Sequence, residues 1–270
     1  MNLTKQYIKK AYSIFNIPNF IVLRYARTRP LNGGAILTRI LHKLYPSLTL
    51  KSKEFQGLKL VINPADFTHI KITDEFLFDK IYNLNLVDFF PDCIVDCGAH
   101  IGMFTLLSTG TFPKVPIYIF EPNPKNIFYL KKQISSNQLE NIIVEEAAVS
   151  TYDGSSTFED GEVSFGGHLS SNSLSSSSYV VPVINLINYI KKLNPQKLIL
   201  KIDVEGEEEL LIPLLLEHLP LNCFLFFEYH FGMDSFNKLK EKLEFSEFNV
   251  NINRVIDSKY IDALAFRTTV

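Results

Sequence analysis

The densest chemistry in the chain lies at Lys201-Ile202-Asp203-Val204-Glu205-Gly206-Glu207, which closes the apolar run 198–202. A lysine inside such a run is costly unless an opposite charge meets it. Asp203 or Glu205 can be that partner. Either acid can also position a substrate, take its proton or hold a cation. The acids from Glu207 to Glu209 suit a helix N-terminus whatever else they do, because the helix dipole favours them. A second group, Glu228-Tyr229-His230, follows the run Phe224-Leu225-Phe226-Phe227. If that strand continues, alternation puts Glu228 and His230 on one side. Histidine titrates near neutrality, so His230 is a candidate base and His168 a second. The candidate catalytic residues are therefore Asp203, His230, Glu228, Glu205, Lys201 and His168.

Two further motifs suit holding a ligand. Asp96-Cys97-Gly98-Ala99-His100-Ile101-Gly102 stands between an apolar strand and a helix. Gly98 and Gly102 let the backbone turn sharply and lie close to a ligand. The helix behind them presents unpaired N–H groups, and Asp96 at the strand end suits a cationic ligand. A nicotinamide-cofactor turn wants glycine at 98, 100 and 103, but this chain has His100 and Met103. In Ile119-Phe120-Glu121-Pro122-Asn123-Pro124, Glu121 ends the following strand. A carboxylate there accepts both hydrogen bonds of a ribose diol. Pro124 opens a helix where proline is favoured.

These motifs need alternating strands and helices to position them. Residues 93–96, 117–120, 142–149, 198–202, 223–228 and 261–266 read as strands. Helices read over 104–108, 124–138, 207–216 and 235–243. This order predicts an α/β fold with helices on both faces of a sheet. Upstream, 55–65 reads as a short strand pair and 74–86 as a helix with Phe76, Ile81 and Leu84 on its apolar side. The first 46 residues read as helical and basic, broken at Pro18 and Pro30. The chain thus divides into an extension, 1–54, and a domain, 55–270. Segment 153–181 breaks the rhythm. It is Ser-rich, carries Gly154, Gly161, Gly166 and Gly167, and is too polar for a core element. It is a linker or a lid, and its place between two sheet strands favours the lid.

A hydrophobic content of 46% over 270 residues allows a sizeable core. The net charge of −2 hides an asymmetry, since residues 1–60 carry eleven Lys and Arg against one acid, Glu54. A basic head suits an anionic membrane surface or a phosphorylated substrate better than nucleic acid, or is a solvated helical face. Ile8, Ala11, Tyr12 and Phe15 share helical spacing beside Lys5, Lys9 and Lys10. That is the pattern of a helix lying on a membrane or packed on its own domain. Cys93, Cys97 and Cys223 lie in apolar runs without paired spacing, as expected of buried thiols in a reducing compartment. No apolar stretch has the length of a membrane span and no secretory leader is visible. The expected location is cytoplasmic, peripheral at the inner membrane surface if the basic head binds there.

Taken in this order, DCGAHIG, IFEPNP, AAVS, LKIDVEGEE and FEYH resemble the FkbM family of methyltransferases over roughly residues 55–266. The resemblance implies a Rossmann-like class I methyltransferase fold, with a seven-stranded, mostly parallel sheet. It implies S-adenosylmethionine as methyl donor and a hydroxyl of a sugar, glycan or secondary metabolite as acceptor. Gly98 and Gly102 would pass close to the methionine part of the donor, with Asp96 near its amino group or ordering that loop. Glu121 would hold the ribose hydroxyls and Ala148 would flank the adenine. Ala99, His100, Pro122 and Asn123 would complete the donor side. Asp203, Glu205, Glu228 and His230 would line the acceptor side. The family usually has Asn where this chain has His100, which changes the hydrogen bonding of the turn. A divalent cation on Asp203, Glu205 or Glu228 remains an alternative to a protein base. Two other classes compete. A nicotinamide-dependent oxidoreductase fits the fold but not the glycines. A non-catalytic membrane-docking protein fits the basic head, but does not explain acids at the ends of four strands.

Overall fold

The computed structural model describes residues 48–51, 56–63, 66–76, 81–159, 168–170, 178–256 and 259–269. The basic stretch before residue 48 and the side chain of His168 lie outside the described residues. A hairpin comes first: β1 (Leu48–Lys51) pairs antiparallel with β2 (Lys59–Ile62). The sequence predicts a strand pair within 55–65, but the first strand lies further upstream, and the hairpin straddles the division at 54.

The sequence also predicts a helix over 74–86. Helix begins earlier: α1 (Phe67–Asp74) runs on into a π-helical turn at Glu75 and Phe76, 77–80 lie outside the described residues, and Leu84–Leu86 is a 3-10 turn. Capping sets both. Asp66 accepts from the Thr68 amide at 2.9 Å and from its hydroxyl at 2.7 Å, which starts α1 early. Asn83 accepts from the Asn85 amide and closes only a short turn.

The main sheet contains β3 (Cys93–Cys97), β4 (Ile117–Phe120), β5 (Ile142–Glu145), β10 (Lys197–Ile202), β11 (Asn222–Tyr229), β12 (Asn249–Ile256) and β13 (Tyr260–Arg267). Their spatial order is β12-β13-β11-β10-β3-β4-β5. All run parallel except β13, which is antiparallel to both neighbours. This is the Rossmann-like, mostly parallel seven-stranded sheet that the sequence predicts, with β12 added where no apolar run announces a strand. The order reverses between β3 and β10, and ligands bind at such switch points, outside the carboxyl ends of the strands.

Helices cover both faces. Cys93, Val95 and Cys97 pack with α5 (Glu208–Leu215) and α6 (Gly232–Phe245) through Leu211, Leu215 and Phe236. On the other face Ile94 and Ile199 meet Phe104 of α2 (Met103–Thr111) and Leu130 of α3 (Pro124–Asn137). Burial on both faces explains why these strands read as unbroken apolar runs. Helix α3 also holds the hairpin. Gln133 accepts from the Val61 amide at 2.7 Å and donates to the Val61 carbonyl at 2.9 Å, as a neighbouring strand would.

A second sheet corrects two expectations. The strand expected over 142–149 is two strands: β5 stays in the main sheet, while β6 (Ala148–Ser150) leaves it. Segment 153–181 is not merely a loop. It supplies β7 (Gly154–Glu159), β8 (His168–Ser170) and the first half of β9 (Ser178–Asn185), in the order β6-β9-β7-β8. The reason is a small core of its own, made of Ala148, Phe158, Val181 and Val183. In β9, Val181 and Val183 are buried on either side of an exposed Pro182, the period of a half-buried strand. Helix α4 (Leu186–Leu193) follows, capped by Asn185.

The three cysteines are free thiols and buried. Among the described residues, no helix is long and apolar enough to cross a membrane.

Candidate functional site

Parallel register sets Lys201 of β10 directly beside Asp96 of β3. Both are buried, Asp96 completely. The Lys201 Nζ lies 3.6 Å from Asp96 and 3.5 Å from Asp203, and donates to the carbonyls of Cys97 and Gly98. Burial alone would lower the lysine pKa, but Asp203 and Asp96 outweigh it and hold the charge. Asp96 accepts from the Thr105 hydroxyl of α2 at 2.7 Å. Its carboxylate is thus turned toward Lys201 and Thr105 and does not line the cavity. Through Lys201, which donates to the Cys97 and Gly98 carbonyls, it braces the turn after β3.

The turn after β3 is tight. Gly98 (φ +75°), His100 (φ +53°) and Gly102 (φ +87°) all adopt left-handed backbone, which glycine takes readily. Gly102 caps α2 and packs toward Leu130, away from the cavity. Glu121, at the end of β4, fixes this turn from the neighbouring strand. It accepts from the His100 amide at 2.7 Å, the Asn123 amide at 2.9 Å and Asn126 at 3.2 Å. Burial raises its pKa, and these donors act in the opposite direction. Asn123 in turn caps α3. His100 packs edge-on to His69 of α1.

At the ends of β10 and β11 the acids converge on His230. Its Nε2 is 3.2 Å from Glu205 and 3.7 Å from Glu228, and its Nδ1 is 3.2 Å from Glu208. Burial would lower the His230 pKa, but Glu205 and Glu208 raise it far above the ordinary value, to about 12. A histidine held protonated in this way is a poor base, which weighs against the role expected of it. Burial pushes Asp203 up to about 6 and Glu228 up to about 9, with Glu205 adding to the first and Asp203 to the second.

One cavity of about 470 Å³ joins these parts. Gly98, Ala99, His100, Glu121, Pro122, Asn123 and Ala148 line it, and so do Lys201, Asp203, Glu205, Glu228 and His230. Asp96 and Gly102 stand behind this wall, and the His168 side chain lies outside the described residues. Several lining groups carry no sequence signal of a site. Tyr82 arrives from the coil before the Leu84–Leu86 turn, Phe158 from the second sheet, and Arg254 from β12. Arg254 is paired with Asp262 and, at 3.5 Å, with Glu75. Glu208 is fully buried and accepts from the amides of Val204 (2.9 Å) and Gly206 (3.0 Å). Its position at a helix start disguises it as an ordinary first-turn acid.

Residues 96–254 match the model of the methyltransferase FkbM domain. The chain belongs to the FkbM methyltransferase family. Within the family match fall every motif at the cavity from Asp96 to Arg254. A curated relative, Methyltransferase 1 of Beauveria bassiana (strain ARSEF 2860), is 31% identical over 96 residues. That match covers 34% of this chain and 37% of the relative, so the chain spans little more than a third of that protein's length. Among solved structures, the chain is similar to M. jannaschii TYW2 in complex with AdoMet, at 17% identity and a TM-score of 0.45, covering 82% of this chain and 87% of that one. It is also similar to precorrin-6y C5,15-methyltransferase from Geobacter metallireducens GS-15, at 12% identity and a TM-score of 0.41, covering 67% and 84%.

Proposed function

We propose that the chain transfers a methyl group from S-adenosylmethionine to a hydroxyl oxygen of a sugar, glycan or related metabolite. The observation that carries this reading is the shared cavity, lined both by the Gly98 turn and Glu121 and by Asp203 and Glu228. A nucleoside-sized ligand fits a cavity of this volume. Of the about four acceptor sites of its carboxylate, Glu121 uses three on the donors it already meets and keeps one for a ribose hydroxyl. Ala148 and Phe158 offer an apolar wall to an adenine. Asp96 and Lys201 hold the turn from below. When bound, S-adenosylmethionine supplies a methyl group activated by the positive charge on its sulfur.

The residues of the chain then align the two ligands and exclude water. Alignment of this kind supplies much of a methyl-transfer rate. An acceptor hydroxyl must also lose its proton. Asp203 and Glu228 are the groups that position the hydroxyl, and Asp203, held at about 6 where Glu228 is held at about 9, is the one that draws that proton away. A nicotinamide cofactor is disfavoured by His100 and Met103, where its turn requires glycine. Labelled-methyl transfer to fractionated glycans and metabolites of the source organism tests the reading.

The basic residues before position 60 extend this proposal to an acceptor carried at an anionic membrane surface. Each basic residue near such a surface contributes about 1 kcal/mol, and salt screens the attraction. Sedimentation of the full chain with anionic vesicles at low salt tests this. Binding that salt reverses supports the membrane role, and indifference to the vesicles removes it.

A further inference from the structure

Among the described residues, Asp203, Glu228 and His230 have the donor set and spacing of a metal site. Each offers one ligand atom, and the three atoms lie within 4.8 Å of one another. They come from the carboxyl ends of the adjacent strands β10 and β11 and face the cavity. Two carboxylates and an imidazole, with open positions left over, form a set that divalent metals occupy. A group of acids alone would say little. The histidine adds a second observation, because a buried carboxylate stands behind its ring, although the buried Nδ1 makes no hydrogen bond to it. Nδ1 lies 3.2 Å from Glu208, whose carboxylate is completely buried and fixed by the amides of Val204 and Gly206. Nε2 therefore points among Glu205, Glu228 and Asp203. A metal-ligating histidine ordinarily has such an outer carboxylate partner.

We propose that Asp203, Glu228 and His230 bind a divalent cation that accepts nitrogen as well as oxygen ligands. This deepens the O-methyltransferase reading and rests on it for the cation's purpose. That purpose is to hold the acceptor hydroxyl and lower its pKa. Binding displaces the proton from Nε2, and Glu205, 3.2 Å away, stands ready to receive a proton from the acceptor. A nitrogen ligand favours Mn²⁺ over Mg²⁺, and Mn²⁺ is the probe of choice.

The test is Mn²⁺ titration of the full chain, followed by electron paramagnetic resonance, with donor binding measured by calorimetry on the same preparations. One Mn²⁺ site is expected, weakened about tenfold or more in both Asp203→Asn and Glu228→Gln and unchanged in Glu217→Gln, whose side chain is exposed on another part of the surface. Glu228→Gln leaves the backbone beneath Gly98 untouched, so it remains informative if Asp203→Asn fails to fold. No Mn²⁺ binding in the millimolar range, or binding indifferent to both substitutions, overturns the proposal. Donor binding without Mn²⁺ binding overturns the cation alone, whereas absence of donor binding overturns the methyltransferase reading beneath it.

Discussion

Gly98 and the carbonyl of Asp203 approach so closely that a β-carbon added at Gly98 would lie 1.7 Å from the Asp203 oxygen. The Asp203 amide also donates to the Cys97 carbonyl at 3.1 Å. The turn after β3 and the acidic turn after β10 are thus packed backbone against backbone. Gly98→Ala must move one of them, and its φ of +75° adds strain. Destabilisation above about 3 kcal/mol is expected, in the range reserved for core clashes. Gly57→Ala is the control. It has a φ of +87° but nothing within 4 Å of the added carbon, so it should cost only about 1 kcal/mol. Urea denaturation compares the two, and equal losses would contradict the packing argument.

Glu121→Ala removes the proposed acceptor of a ribose hydroxyl and the group that holds the His100 and Asn123 amides. Hydrogen bonds to a charged group contribute about 1.5–3 kcal/mol each, so donor affinity should fall at least about tenfold. Glu121→Gln keeps the shape without the charge and should fall between wild type and alanine. Calorimetry with S-adenosylmethionine decides, and unchanged affinity in Glu121→Ala would contradict the ribose assignment.

Phe158→Ala tests whether the second sheet closes the donor end. Phe158 is buried with Ala148, Val181 and Val183 and also lines the cavity. Truncation should weaken donor binding about tenfold, which is about 1.4 kcal/mol. It should also destabilise the small sheet, read as faster amide exchange across Gly154–Glu159 and Ser178–Asn185. Exchange that speeds up while donor affinity stays constant would assign Phe158 to the sheet alone.

The histidine pair near the donor end predicts a stability profile. Burial lowers the His69 pKa from 6.5 to about 4, against an opposing pull from Asp66. His100 is lowered as well, first by burial and then by His69 and Lys201. For a base depressed in the folded state, the unfolded chain takes up the proton more readily. Stability is therefore full above pH 6.5 and falls as the pH drops toward 4. His69 accounts for about 3 kcal/mol of this loss. Denaturant midpoints across that range should fall less steeply in His69→Gln, and an identical slope would contradict the assignment.

Local pattern makes part of this site legible in the sequence. Gly98, Glu121 and Asp203 each stand where an apolar run stops, and a strand end in an α/β sheet is where ligands bind. Lys201 is legible too, since a lysine inside an apolar run demands a partner. One partner is legible as well, since Asp203, two residues on, meets Lys201 at 3.5 Å; the other is not, because only the register of β10 on β3 puts Asp96 beside it. Tyr82, Phe158 and Arg254 reach the cavity from distant stretches with no local mark of function. Glu208 is hidden because the helix dipole already explains an acid at its position. Strand β12 is obscured by its polar alternation, Asn249 to Ile256, which buries no residue fully. Segment 153–181 looks too polar for a sheet, yet Phe158, Val181 and Val183 suffice for a small core.

Transfer of a tritiated methyl group from S-adenosylmethionine to glycans and hydroxylated metabolites of the source organism addresses the central claim most directly. The account predicts label recovered as an ether that resists alkaline hydrolysis, formed by wild type and lost in Asp203→Asn protein that still binds the donor. Label recovered only as a base-labile ester or as an N-methyl amine would contradict it, as would ether formation undiminished in that variant.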